Sequence, residues 1–155
     1  MEIRDSVSGY VVQIEYGNTF DDSAIISSTC CGPLRRIKFG HLENSTIVVD
    51  RTVSYGYTQC ADGLYRLSYA KDDDAKIELQ YEYDTLGRVI KANEIAYVTE
   101  NGVEVEKPGQ SVSFSYGIGY TEVRSSGEDD ILQTGTASDD IITHYTLDRY
   151  GRAIS

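Results

Sequence analysis

Carboxylates are the first residues here whose spacing invites a chemical reading. Asp129-Asp130-Ile131 and Asp139-Asp140-Ile141 repeat at a ten-residue interval around "LQTGTAS". Folded into a loop, and joined by Glu128, they could supply several of the roughly six to eight oxygens that calcium takes. The Asp-x-Asp-x-Asp-Gly order of an EF-hand is missing. Solvated turn acids explain the pairs more simply, so no residue is assigned to a metal. Asp72-Asp73-Asp74 reads as a charged hairpin tip by the same reasoning. His41 and His144 have no partner chemistry in the sequence: a general base needs a nucleophile or acid in reach, and no Gly-x-Ser-x-Gly occurs. Cys30 and Cys31 precede Arg35 and Arg36, which could activate a thiol, but Gly32 and Pro33 make a plain turn the better reading. "YGIGY" (116–120) lacks the helix or Lys-Ser/Thr of a phosphate cradle. The tyrosines could form a platform for sugar rings, although their alternation places many of them on sheet faces. These residues thus assign no catalytic, cofactor or metal site, and the chain is not expected to be an enzyme.

The elements behind these residues are strands. Good helix formers rarely recur at helical spacing for more than a turn; short helical turns are expected only around 20–26 or 90–96. Alternation runs through "YVVQIEYG" (10–17), "RRIKFG" (35–40), "STIVVDRTVSYGYT" (45–58, with Val49 breaking the period), "GLYRLSYA" (63–70), "AKIELQYEYD" (75–84), "SVSFSYGIGYTEV" (111–123) and "DIITHYTLD" (140–148). In 75–84, Ile77, Leu79, Tyr81 and Tyr83 share the expected buried face. Asn101-Gly102 between "IAYVTE" and "VEVE" is a strong hairpin signal. Turn residues separate the runs at the short intervals of an antiparallel all-β protein.

Composition narrows the partners. Tyr is 13 against Phe 3 and Trp 0, which suits half-buried sheet faces. A net charge of −11 and a pI near 4.5 argue against nucleic acid, which needs clustered Lys and Arg. No apolar run approaches membrane-spanning length, and the opening residues lack the pattern of a secretory leader. Three cysteines, two of them adjacent, make no disulfide framework and no zinc spacing.

One phrase occurs twice: Tyr81-Glu82-Tyr83-Asp84-Thr85-Leu86-Gly87-Arg88 and Tyr145-Thr146-Leu147-Asp148-Arg149-Tyr150-Gly151-Arg152. In each, the aspartate can accept from backbone N–H groups a few residues on, the glycine suits a left-handed position, and the arginine can return to the aspartate or stack on a ring. That is a hairpin loop ending in a bulge. "YGYTQCADGLYR" (55–66) is a looser third version with stretched spacing.

Tyr-x-Tyr-Asp-x-x-Gly-Arg resembles the YD repeat of RHS proteins, with Leu147 in place of the second tyrosine in the later copy. "SSTCCGPLRRI" and "GEDDILQTGTASDDIITHYTLDRYGR" also look like segments of this family. The resemblance implies an all-β fold of antiparallel β-hairpins in a repeat-like twisted sheet. It implies that residues 1–155 form one YD-repeat-like strip, with turns at 81–88 and 145–152, cut from a longer chain. It further implies a non-enzymatic shell or stalk wall in a large, toxin-related extracellular or cell-surface protein. The partners would then be neighbouring repeats, an encapsulated toxin domain or a surface glycan, without membrane insertion and without a cofactor. The second reading is a carbohydrate- or protein-binding β module steadied by calcium.

Overall fold

The structure, a computed structural model, describes residues 1–5, 8–20, 25–27, 32–127 and 139–154. Every regular element among them is a strand, and the protein is all-β. Two compact units divide the chain, Met1–Glu78 and Leu79–Ser155.

In the first unit β1 (Glu2–Arg4), β2 (Tyr10–Gly17), β4 (Leu34–Glu43), β5 (Thr46–Gln59) and β6 (Tyr65–Asp72) lie side by side in that order, and β3 (Ile25–Ser27) pairs with β2 off this path. All these pairings are antiparallel. The unit boundary falls within β7 (Ile77–Tyr83). The second unit continues through β8 (Val89–Glu100), β9 (Val103–Gly117), β10 (Tyr120–Ser125) and β11 (Ile141–Thr146), again each beside the next. β8, β9, β10 and β11 pair antiparallel.

Turn chemistry sets these pairings. Asn44-Ser45 and Asn101-Gly102 join β4 to β5 and β8 to β9, and all four residues have positive φ (50°, 65°, 51° and 80°). Such two-residue turns have the twist that antiparallel neighbours need, and asparagine and glycine tolerate the left-handed backbone. The irregular period at Val49 has a counterpart in the ladder: Phe39 faces Arg51 and Gly40 faces Val49, so Asp50 is an extra residue in a bulge.

Three expectations need correction. Residues 90–96 are extended within β8, because pairing with β9 captures their backbone groups. Residues 111–123 are two strands, since the chain reverses at Ile118-Gly119, where Gly119 has φ 76°. The anticipated buried face of β7 is not buried at its start: Glu78 is covered while Ile77 and Leu79 are about two-fifths exposed. Alternation fixes which side chains share a face, but burial needs a second layer. Val11 and Pro33 are the only aliphatic or aromatic side chains buried among the described residues.

Tyrosines supply local packing instead. The Tyr69 ring lies over its cross-strand neighbour Gly56, so close that a Cβ there would stand 2.0 Å from the ring. Tyr120 covers its partner Gly117 in the same way, again at 2.0 Å. An aromatic ring laid across a glycine restores the packing that the missing side chain forfeits. In the first unit Phe20 stacks on Tyr65 (centroids 4.8 Å apart) and meets Tyr57 edge-on at 5.2 Å. Tyr57 donates its hydroxyl to the Leu34 carbonyl at 2.9 Å, and burial raises the pKa of that phenol. In the second unit the Tyr116 hydroxyl donates to the Val89 carbonyl at 2.6 Å. Tyr116→Phe is expected to lower stability by about 1 kcal/mol, the usual net worth of one hydrogen bond. Urea unfolding followed by circular dichroism measures this, and an unchanged midpoint would show that the hydroxyl contributes nothing.

Candidate functional site

The most organised polar sites in this chain are its turns. At the first, the Asp84 N–H donates to the Arg88 carbonyl and the Gly87 N–H donates to the Asp84 carbonyl, both at 2.9 Å. Gly87 has φ 74°, the left-handed position of a bulge closing a short loop. Asp84 Oδ1 accepts from the Leu86 and Arg88 N–H groups, each at 2.9 Å, and Oδ2 takes the Arg88 guanidinium at 2.7 Å. Arg88 in turn lies 4.2 Å from the Tyr116 ring centroid. One aspartate thus ties the backbone and the returning arginine together, and the arginine reaches across to β9.

The second turn repeats this bond for bond. The Asp148 N–H donates to the Arg152 carbonyl and the Gly151 N–H to the Asp148 carbonyl, both at 2.9 Å. Asp148 Oδ1 accepts from the Tyr150 and Arg152 N–H groups at 2.8 and 3.0 Å, and Oδ2 binds Arg152 at 2.7 Å. Gly151 has φ 77°. Here the stacked ring is Tyr150, with Arg149 and Arg152 at 4.7 and 5.3 Å from its centroid. Beyond the turn, Leu147 bridges Ala153 and the Ile154 N–H donates to the Thr146 carbonyl, so the chain begins to return along β11.

The looser third version has the same backbone. The Cys60 N–H donates to the Leu64 carbonyl and the Gly63 N–H to the Cys60 carbonyl, both at 2.9 Å, with Gly63 at φ 79°. Cys60 occupies the place of Asp84, and the carboxylate has moved two residues on to Asp62. Its arginine has shifted equally, to Arg66, which grips Asp62 with two bonds of 2.8 and 2.6 Å. The apparent stretching is a relocated ion pair on an unchanged loop. Counting back three residues from the glycine, rather than looking for an aspartate, would have found the match.

Hydrogen bonds and the facing guanidinium lower the pKa of each of these carboxyls. Asp84 and Asp148 lie below the ordinary 3.8, first through the N–H of Arg88 or Arg152, with the same arginine's guanidinium adding to the shift. Asp62 falls to about 2, first through Arg66 and then the Leu64 N–H. His41 is shifted upward from 6.5 by Asp50, whose Oδ2 is 2.8 Å from Nδ1. A lowered carboxyl stabilises the fold above its unfolded pKa and loses that effect as pH falls through the folded value. A raised histidine stabilises below its unfolded pKa and loses the effect as pH climbs through the folded value. Melting temperature contributed by these groups should therefore hold between 3.8 and 6.5, fall toward pH 2 and fall again above 6.5. Asp62→Asn should make the acid limb shallower, with Asp84 and Asp148 still contributing, and His41→Gln should flatten the alkaline one. Melts across pH in both variants that keep the wild-type slopes would refute the assignment.

Of the remaining sequence candidates, those that are described do not gather at one place. Glu128, Asp129, Asp130, Cys30 and Cys31 lie outside the described residues. Asp140 Oδ2 is 3.6 Å from Arg124, and Asp72 binds Arg51 at 2.6 Å while its Oδ1 caps Asp74 and Ala75. His144 is 3.6 Å from Glu122, its neighbour across the sheet. "YGIGY" forms the β9–β10 hairpin. Among the described residues, no three His, Cys, Asp or Glu side chains are grouped to hold a metal, and no helix is long and apolar enough to cross a membrane. No protein-family model matches the chain, and no curated protein matches it.

Proposed function

We propose that this chain is a non-enzymatic structural module of the RHS or YD-repeat kind, a strip of wall in a large extracellular or cell-surface protein related to toxins. The observation that carries this reading is the recurrence of one hydrogen-bonded loop at Cys60–Leu64, Asp84–Arg88 and Asp148–Arg152. Catalytic sites gather titratable groups with shifted pKa values in a cleft. At these three loops Asp62, Asp84 and Asp148 hold their own turns, and Arg66, Arg88 and Arg152 are each bound by the aspartate of the same loop. The sparse burial among the described residues agrees with a wall rather than a self-sufficient core. Exposed apolar residues such as Ile3, Tyr10, Ile141 and Ile154 gain cover when neighbouring hairpins or a cargo lie against them.

Electron cryo-microscopy of the full-length parent polypeptide tests the proposal. The expected map shows β7–β11 continued by further hairpins in a wall that encloses another domain. A free-standing domain with a ligand or substrate in a cleft of these strands would overturn it.

A further inference from the structure

We propose that Asn44 is an acceptor for an N-linked glycan, a site that rests on the extracellular placement proposed above. Asn44-Ser45-Thr46 is the only Asn-x-Ser/Thr triplet in the sequence: Asn18, Asn93 and Asn101 have Phe20, Ile95 and Val103 two residues on. Such a triplet marks a glycan acceptor where it lies on an accessible surface of a secreted chain. All three residues are exposed, at the tip joining β4 to β5. The side-chain amide of Asn44 makes no hydrogen bond among the described residues, so it is available to react.

Turn formation alone explains the asparagine but not the hydroxyl. Asn101-Gly102 builds the same kind of two-residue turn, with φ 51° and 80°, and is followed by valine. At the β4–β5 tip a threonine stands where the acceptor rule needs one. The left-handed backbone at Asn44 (φ 50°) places it on a short loop that projects past the paired ends of Glu43 and Thr46. A bulky sugar there would obstruct neither face of the sheet.

The donor is an oligosaccharide on a polyprenyl pyrophosphate, delivered by a membrane-bound transferase. The Asn44 amide nitrogen attacks C1 of the first sugar, and the new N–C bond forms as the C1–O bond to pyrophosphate breaks. The bonding electrons leave on the pyrophosphate, and the amide gives up one proton to the transferase.

The test is expression of the full chain behind a secretory leader in a glycosylating eukaryotic host. The secreted protein should run as a heavier band that an amidase specific for N-glycans collapses, leaving aspartate at 44 in the peptide mass spectrum. Thr46→Val, which leaves the turn residues untouched, should abolish the shift, and Thr46→Ser should retain it. Secreted chain with an unmodified Asn44 overturns the proposal. Modification in this arm, combined with recovery of the parent protein from inside its own cells, supports the acceptor site and removes the extracellular placement instead.

Discussion

Gly40→Ala is expected to lower the thermal midpoint by roughly 10 °C, from a loss of about 3 kcal/mol. Gly40 sits in β4 opposite Val49, next to the bulge at Asp50, and is itself buried. A Cβ there would stand 2.1 Å from the Val48 carbonyl oxygen and 3.2 Å from the Val49 Cα. Both obstacles are backbone, so no rotamer change relieves them. The two strands must separate, and that breaks ladder hydrogen bonds on both sides of the bulge. Gly56→Ala makes the informative comparison. Its Cβ would also meet an atom at 2.0 Å, but that atom belongs to the Tyr69 ring, which can swing away. The Gly56 variant should therefore lose clearly less than the Gly40 variant. Calorimetry of both decides the matter, and equal midpoints would show that the β4–β5 bulge yields more easily than close-packed strands do.

Much of this architecture could be read from the residues, because its rules are local. A Gly three residues after an Asp, as at Asp84–Gly87 and Asp148–Gly151, or an Asn-Gly pair marks where the chain reverses, and a short connection makes the two flanking strands neighbours. Val49 even announced its bulge by breaking the alternation. Two kinds of information were out of reach. Burial at Glu78 and exposure at Leu79 depend on what lies over a face, and alternation is silent on that. The equivalence of Cys60 with Asp84 was hidden because the motif is written in side chains, whereas the loop is defined by backbone bonds. At Cys60 the N–H and carbonyl do the shaping, and the carboxylate that locks the turn is free to come from Asp62. The Tyr–Gly pairs were similarly obscure: Tyr69 and Gly56 are distant in sequence, and only the register brings ring and glycine together.

Placing valine at Gly87 should cost about 2 kcal/mol, since a Cβ-bearing residue pays roughly 1–2 kcal/mol in the left-handed region and β-branching adds to it. Asparagine at the same place should cost less, because its side chain tolerates that conformation. If Cys60–Leu64, Asp84–Arg88 and Asp148–Arg152 are one device, the same ranking must hold at Gly63 and Gly151, where φ is 79° and 77°. At Gly63 and Gly151 nothing lies within 4 Å of an added Cβ, so any loss there is conformational rather than steric. Chemical denaturation of alanine, asparagine and valine variants at Gly63 should give asparagine as the mildest and valine as the most damaging. A flat series would mean the loop accepts another backbone, and the likeness among the three turns would then be one of sequence without shared mechanics. The ranked series instead ties the repeated phrase to a physical requirement. Each of these three loops needs one residue without a Cβ penalty at its bulge and one carboxylate to hold the returning arginine, and the chain can repeat that unit wherever both are supplied.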